Sequence, residues 1–135
     1  MPEGTIYTLL ALDVGEKRIG VARASSLARL PQPAGVITID GHEIERIKQL
    51  INTEGATVLV VGLPRNLQGA DTDQTRAVRS FVDRLQSEIT IDIELQDEAG
   101  TSKQAEAEMS QSRHRFGVDE LAATYILQDY LETHI

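Results

Sequence analysis

The chain has no cysteine and no tryptophan among its 135 residues, and only 4% of them are aromatic. Without cysteine there are no disulfides, no thiolate metal sites and no thiol nucleophiles. The composition fits a reducing cytosol, and a cytoplasmic location is expected. With so few rings the core must be aliphatic. No aromatic platform for stacking single-stranded bases is visible, and the isolated Tyr7 and Phe116 read as core packing. No apolar run approaches the roughly 20 residues of a membrane span, so no membrane partner is expected. The opening MPEGTIYTLL lacks a basic region before its apolar residues and does not read as a signal peptide. Positive charge is scarce: 13 Lys and Arg against 21 Asp and Glu leave a net charge of −8. That opposes non-specific binding to a polyanion, because phosphate contacts come from Lys and Arg. It does not exclude a nuclease, since acids gathered around divalent ions gain positive charge with the ions.

What is present is ordinary globular material, 41% hydrophobic and 25% charged. The length suits one domain over residues 1–135, with a real core. Residues 5 to 13 form a nearly continuous apolar run, as in a strand buried on both faces. A turn at 14 to 17 leads to a second strand at 18 to 25, and AGVITI at 34 to 39 makes a third. Asp40 and Glu43 have capping-box spacing ahead of a helix to about residue 54, whose core face is Ile44, Ile47, Leu50 and Ile51. TVLVVGLP is a further buried strand. A helix over about 71 to 88 buries Val78, Phe81, Val82, Leu85 and Ile89, with Asp71 and Asp73 in its first turn. TIDIELQ alternates like an edge strand, and DEAG follows it. A short helix is expected over 101 to 110, then a loop, then a last helix over about 119 to 132 burying Leu121, Ala122, Tyr125, Ile126 and Tyr130. The order predicts an α/β fold: a five-stranded mixed sheet flanked by helices. Its first three strands are antiparallel, and the last two follow right-handed crossovers.

The stretch LLALDVGEKRIGVA carries the first chemical signal. An apolar strand ends in Asp13. The fifth strand ends near Asp97 and Glu98, and Asp119 opens the last helix. In an open α/β sheet, ligands bind beyond the carboxyl ends of parallel strands. Neighbouring parallel strands would therefore bring Asp13, Asp97 or Glu98, and Asp119 to one crevice. Such carboxylates repel one another unless a cation sits between them. With no Cys and few His, hard oxygen ligands point to Mg²⁺ or Mn²⁺. Two such ions about 4 Å apart can activate a water and stabilise the leaving oxygen of a phosphodiester. Each acid has a plainer reading alone: a turn start for Asp13, a solvated strand end for Asp97 and Glu98, a helix N-cap for Asp119. The joint arrangement favours the site.

LALDVGEKRIGVA, VVGLPRNLQGADTDQTRAVRSF, DEAGTSKQAEAE and VDELAATYILQDYL together resemble the YqgF/RuvX family of Holliday junction resolvases. The resemblance runs over nearly the whole chain, and its first two motifs are the most specific. It implies an RNase H-like fold and a metal-dependent nuclease. Family members are assigned to processing the 5′ end of pre-16S rRNA, and some to resolving branched DNA. It implies Asp13, Glu98 and Asp119 as the catalytic acids and the ligands of Mg²⁺ or Mn²⁺, with Asp13 bridging the ions. It implies substrate contacts from Arg65 and Asn66 in the GLPRNLQG loop and from Arg76 and Arg79. One departure is clear. Where the family reads Asp-Glu-Arg, this chain has Asp97-Glu98-Ala99, which removes a bidentate phosphate contact.

Lys17 and Arg18, in the turn after Asp13, either meet a phosphate or are solvated turn charge. Arg113, His114 and Arg115 either hold the nucleic-acid backbone or are bystanders. The expected partner is nucleic acid, structured RNA or branched DNA, and a junction resolvase would be a homodimer with two sites. A non-catalytic binding module of the same fold is the main rival. An actin-like phosphotransferase is disfavoured, because it needs two such domains and no P-loop is present.

Overall fold

The computed structural model describes residues 5–98 and 117–134. Five strands form one sheet in the order β3-β2-β1-β4-β5. They are β1 (Thr8–Val14), β2 (Arg18–Ser25), β3 (Gln32–Thr38), β4 (Ala56–Pro64) and β5 (Asp92–Glu98). The first three pair antiparallel, while β4 runs parallel to β1 and to β5. This is the mixed sheet that the apolar pattern predicts.

Strand alternation divides the core in two. Leu10, Leu12 and Val14 of β1 pack with Leu59, Val61 and Leu63 of β4 on one side. That side is covered by α1 (Glu43–Glu54) through Ile47 and Ile51, and by α2 (Asp73–Gln86) through Val78, Phe81, Val82 and Leu85. Leu9 and Ala11 of β1 pack with Val58 and Val60 of β4 on the other side. There the cover is α3 (Val118–His134), through Ala123, Ile126, Leu127, Tyr130 and Leu131. That helix crosses the sheet obliquely. Its first turn lies on Gly20 of β2, Ile126 sits on Gly62 of β4, and the Tyr130 hydroxyl donates to Glu94 Oε2 of β5 at 2.8 Å. Burial and that hydrogen bond both push the Tyr130 phenol well above its ordinary pKa.

Two helix starts differ from the spacing argument. Gly41, at φ +97°, adds a turn before α1 and moves the N-cap to His42. Glu43 still reaches back, accepting from Asp40 and Gly41 backbone N–H at 3.1 and 2.7 Å. The Asp40 carboxylate instead accepts from Arg46 Nη1 and Nη2 at 2.8 and 2.9 Å. For α2 the cap is Thr72, which leaves Asp73 in the first turn and Asp71 ahead of it. Thr75 N–H donates to Thr72 Oγ1 at 3.2 Å, and Thr72 N–H to Thr75 Oγ1 at 2.9 Å. The buried Thr75 hydroxyl also donates to the Pro64 carbonyl, which ties the start of α2 to the end of β4. Thr75→Val should therefore cost about 1–3 kcal/mol. Chemical denaturation should show a lower midpoint at unchanged slope.

The fifth strand begins and ends later than its alternation suggests. Pairing with β4 continues through Leu63↔Asp97 and Pro64↔Glu98, so both acids belong to the strand itself. The helix expected over 101 to 110 lies outside the described residues, as do Ala99, Arg113, His114, Arg115 and Phe116.

Candidate active site

Asp13 is the last residue but one of β1. Alternation after Leu9 and Ala11 turns its side chain to the α3 side of the sheet. Its ladder partner is Gly20 of β2. A Cβ on Gly20 would stand 1.9 Å from the Asp119 carbonyl oxygen. The missing side chain thus lets the first turn of α3 rest directly on β2, beside Asp13. The signal for this in the sequence is a glycine inside the second strand, which commonly marks close backbone approach.

The two carboxylates feel each other. Burial raises the Asp13 pKa, the Asp119 charge raises it further, and the result is about 6. Arg18 opens β2 across the turn from Asp13, and its Nε donates to Asp119 Oδ2 at 2.9 Å. Asp119 is the second residue of α3, and its side chain is committed to this ion pair.

Alternation also separates Asp97 from Glu98. Glu94 of β5 meets Tyr130 on the α3 side, so Gln96 and Glu98 share that side and Asp97 faces away. Asp97 accepts from Arg65 Nε at 3.1 Å. Glu98 therefore shares a face with Asp13 and Asp119. It stands two strands from β1, roughly 10 Å across the sheet. Asp13 and Asp119 are brought together. Among the described residues, no three His, Asp or Glu side chains are gathered closely enough to form a ready-made metal cage. The donor set nevertheless suits a hard divalent cation. Its members are carboxylates, and Asp13, half-buried beside Asp119, carries a raised pKa that a neighbouring cation would relieve.

The basic residues divide differently. Lys17 and Arg18 are exposed in the turn beside the acids. Arg65 is spent on its surroundings, with Nη1 2.9 Å from Asp71 and Nε on Asp97. Asn66 Oδ1 accepts from the Gln68 and Ala70 backbone N–H groups at 3.0 and 2.9 Å. Both residues shape the loop after β4. Arg76 pairs with Asp73, and Arg79 Nη2 lies 3.8 Å from Asp71. These two ride on α2, in the layer opposite Asp13. The structure does not bring Arg76 or Arg79 to the acids.

A model of the RuvX family, described as Holliday junction resolvase, matches residues 7–133. The chain belongs to the RuvX family. Relatives carry the name "Putative pre-16S rRNA nuclease". The protein of Moorella thermoacetica is 40% identical, covering 92% of this chain and 94% of its own length. That of Limosilactobacillus fermentum is 35% identical, covering 93% and 94%. Among solved structures, Thermus thermophilus RuvC in complex with a Holliday junction substrate superimposes with a TM-score of 0.56 at 12% identity, covering 94% of this chain and 96% of that one. The fowlpox virus Holliday junction resolvase gives 0.58 at 9% identity, covering 95% and 99%. At such identities the likeness shows the fold alone, and that fold is the RNase H-like one expected of RuvX. Among the described residues, no helix is long and apolar enough to cross a membrane.

Proposed function

We propose that this RuvX chain is a nuclease dependent on Mg²⁺ or Mn²⁺ that hydrolyses nucleic-acid phosphodiesters, acting in the cytoplasm on the 5′ end of pre-16S rRNA. The observation that carries the reading is the Asp13–Asp119 pair, a half-buried strand-end carboxylate held beside a second carboxylate at the carboxyl edge of parallel strands. The names of the relatives support the RNA substrate. Asp13 and Asp119 hold the cation, and Glu98 approaches from the same face. When bound, the ion supplies Lewis acidity toward the phosphate and an activated water. Asp13 serves in its ionised form, so protons compete with the cation, and Mn²⁺ affinity should fall as pH drops below about 6. Lys17 and Arg18 stand at the mouth, where the phosphate backbone would pass. Because the chain carries net charge −8, binding should depend on these few cations and on the loaded metal.

Resolution of branched DNA is the second reading, favoured by the description of the matching family. It calls for a symmetric dimer presenting two sites to two strands. Labelled pre-16S-type RNA and a four-way DNA junction, each offered with Mn²⁺ and with EDTA, decide between them. We expect Mn²⁺-dependent cleavage of the RNA. Junction cleavage alone would transfer the assignment to resolution. Metal binding with no cleavage of either would point to Ala99 in place of the family arginine and to a missing partner, whereas neither metal binding nor cleavage would favour the non-catalytic module.

A further inference from the structure

We propose that Arg18 is a built-in counter-ion for Asp119, exchanged for the divalent cation when the site loads, and that the released guanidinium then grips a backbone phosphate. This rests on the nuclease reading above and adds an order of events to it. The Asp119 backbone rests on Gly20, the ladder partner of Asp13, so the two carboxylates stand together on one face of the sheet. Arg18 offsets their repulsion by donating from Nε to Asp119 Oδ2 at 2.9 Å. An oxygen held this way is a poor ligand for a cation until the guanidinium leaves.

The bond is built to break. Arg46 grips both oxygens of Asp40 with its two Nη groups, in the fork geometry of a lasting pair. Arg18 hydrogen-bonds Asp119 from Nε only, with its side chain 62% exposed while that of Asp119 is 29% exposed. Single-point pairs of this exposure contribute little and exchange readily. The guanidinium also has somewhere to go. The other arginines assigned to the substrate are already paired, Arg65 with Asp97 and Asp71, Arg76 with Asp73 and Arg79 with Asp71. Arg18 is already on the acids' side of the sheet and is set free by the ion that prepares the site. Metal and nucleic acid should therefore bind with positive coupling, each tightening the other by the same factor.

The experiment measures Mn²⁺ affinity by calorimetry for the wild type, Arg18→Gln, Arg18→Lys, Lys17→Gln and Asp13→Asn. Stopped-flow anisotropy of a labelled RNA hairpin, read before turnover with Mn²⁺ and with EDTA, gives the coupling. Losing an exposed competitor should tighten Mn²⁺ about two- to fivefold in Arg18→Gln. Arg18→Lys should stay near wild type. Lys17→Gln removes the same charge one residue away without touching Asp119, and should change Mn²⁺ affinity less. The gain in RNA affinity on adding Mn²⁺ should shrink in Arg18→Gln. Unchanged or weaker Mn²⁺ binding in Arg18→Gln, or an equal gain in Lys17→Gln, overturns the exchange while leaving the nuclease reading intact. Absence of Mn²⁺ binding to the wild type, or equal binding by Asp13→Asn, overturns both.

Discussion

Asp13→Asn should abolish metal-dependent cleavage, by roughly a thousandfold or more, in a protein that folds at least as well as the wild type. The two halves of that expectation have one cause. Asp13 is ionised at a site where burial and the Asp119 charge both oppose ionisation. Its pKa is near 6 in the folded protein and 3.8 when unperturbed. Below about pH 4 both states hold the proton, and Asp13 costs nothing. Between about 4 and 6 the unfolded chain releases its proton while the folded one keeps it, so stability falls as pH rises. Above 6 the full penalty remains, up to about 3 kcal/mol. Asparagine is isosteric and uncharged. In EDTA, the variant should therefore unfold at higher denaturant than the wild type at pH 8 and at nearly the same denaturant at pH 4. Mn²⁺ should raise the wild-type midpoint and leave that of the variant unmoved, because only the carboxylate gives the ion a reason to prefer the folded state. A well-folded Asp13→Asn protein that cleaves normally would refute the mechanism. An Asp13→Asn protein less stable than wild type at pH 8 would show that the carboxylate is satisfied without metal.

Much of this was legible in the sequence because the sheet is written in an aliphatic code. The runs that become β1 and β4 are apolar on both faces, and their helices announce themselves by spacing. Asp13 stood out for the same reason, as a charge closing an apolar run. What the sequence hid were facts of register and approach. Asp97 and Glu98 are adjacent, and pairing of β5 with β4 was needed to turn one to each face. Arg65 and Asn66 looked free because their partners, Asp71, Asp97 and the loop backbone, are set by the fold around them. Arg76 and Arg79 share a motif with the loop, but α2 carries them to the opposite layer. The Arg18–Asp119 pair spans 101 positions of sequence, and no local pattern reports it.

Gly20→Ala should cost more than any other single methyl group added to this sheet, because it strikes backbone. The new Cβ would stand 1.9 Å from the Asp119 carbonyl oxygen and 2.3 Å from its carbonyl carbon. No rotamer relieves that. The first turn of α3 must lift off β2, carrying Asp119 away from Asp13. A loss of at least about 2–3 kcal/mol is expected, together with a large drop in Mn²⁺ affinity and cleavage. Gly62→Ala is the informative contrast. There the Cβ would meet Ile126 Cδ1 at 2.3 Å, the far end of a side chain rather than backbone. Ile126→Val removes that atom, so the pair Gly62→Ala with Ile126→Val should be more stable than the sum of the two single changes, by a coupling of about 0.5–3 kcal/mol. No truncation of Asp119 should rescue Gly20→Ala in the same way, since the obstructing atoms are not in its side chain. Thermal melts of the five proteins, with Mn²⁺ titrations, separate the two cases. A Gly20→Ala protein that melts with the wild type and binds Mn²⁺ equally well would mean that α3 does not rest on Gly20, and Asp119 would lose the contact that places it beside Asp13.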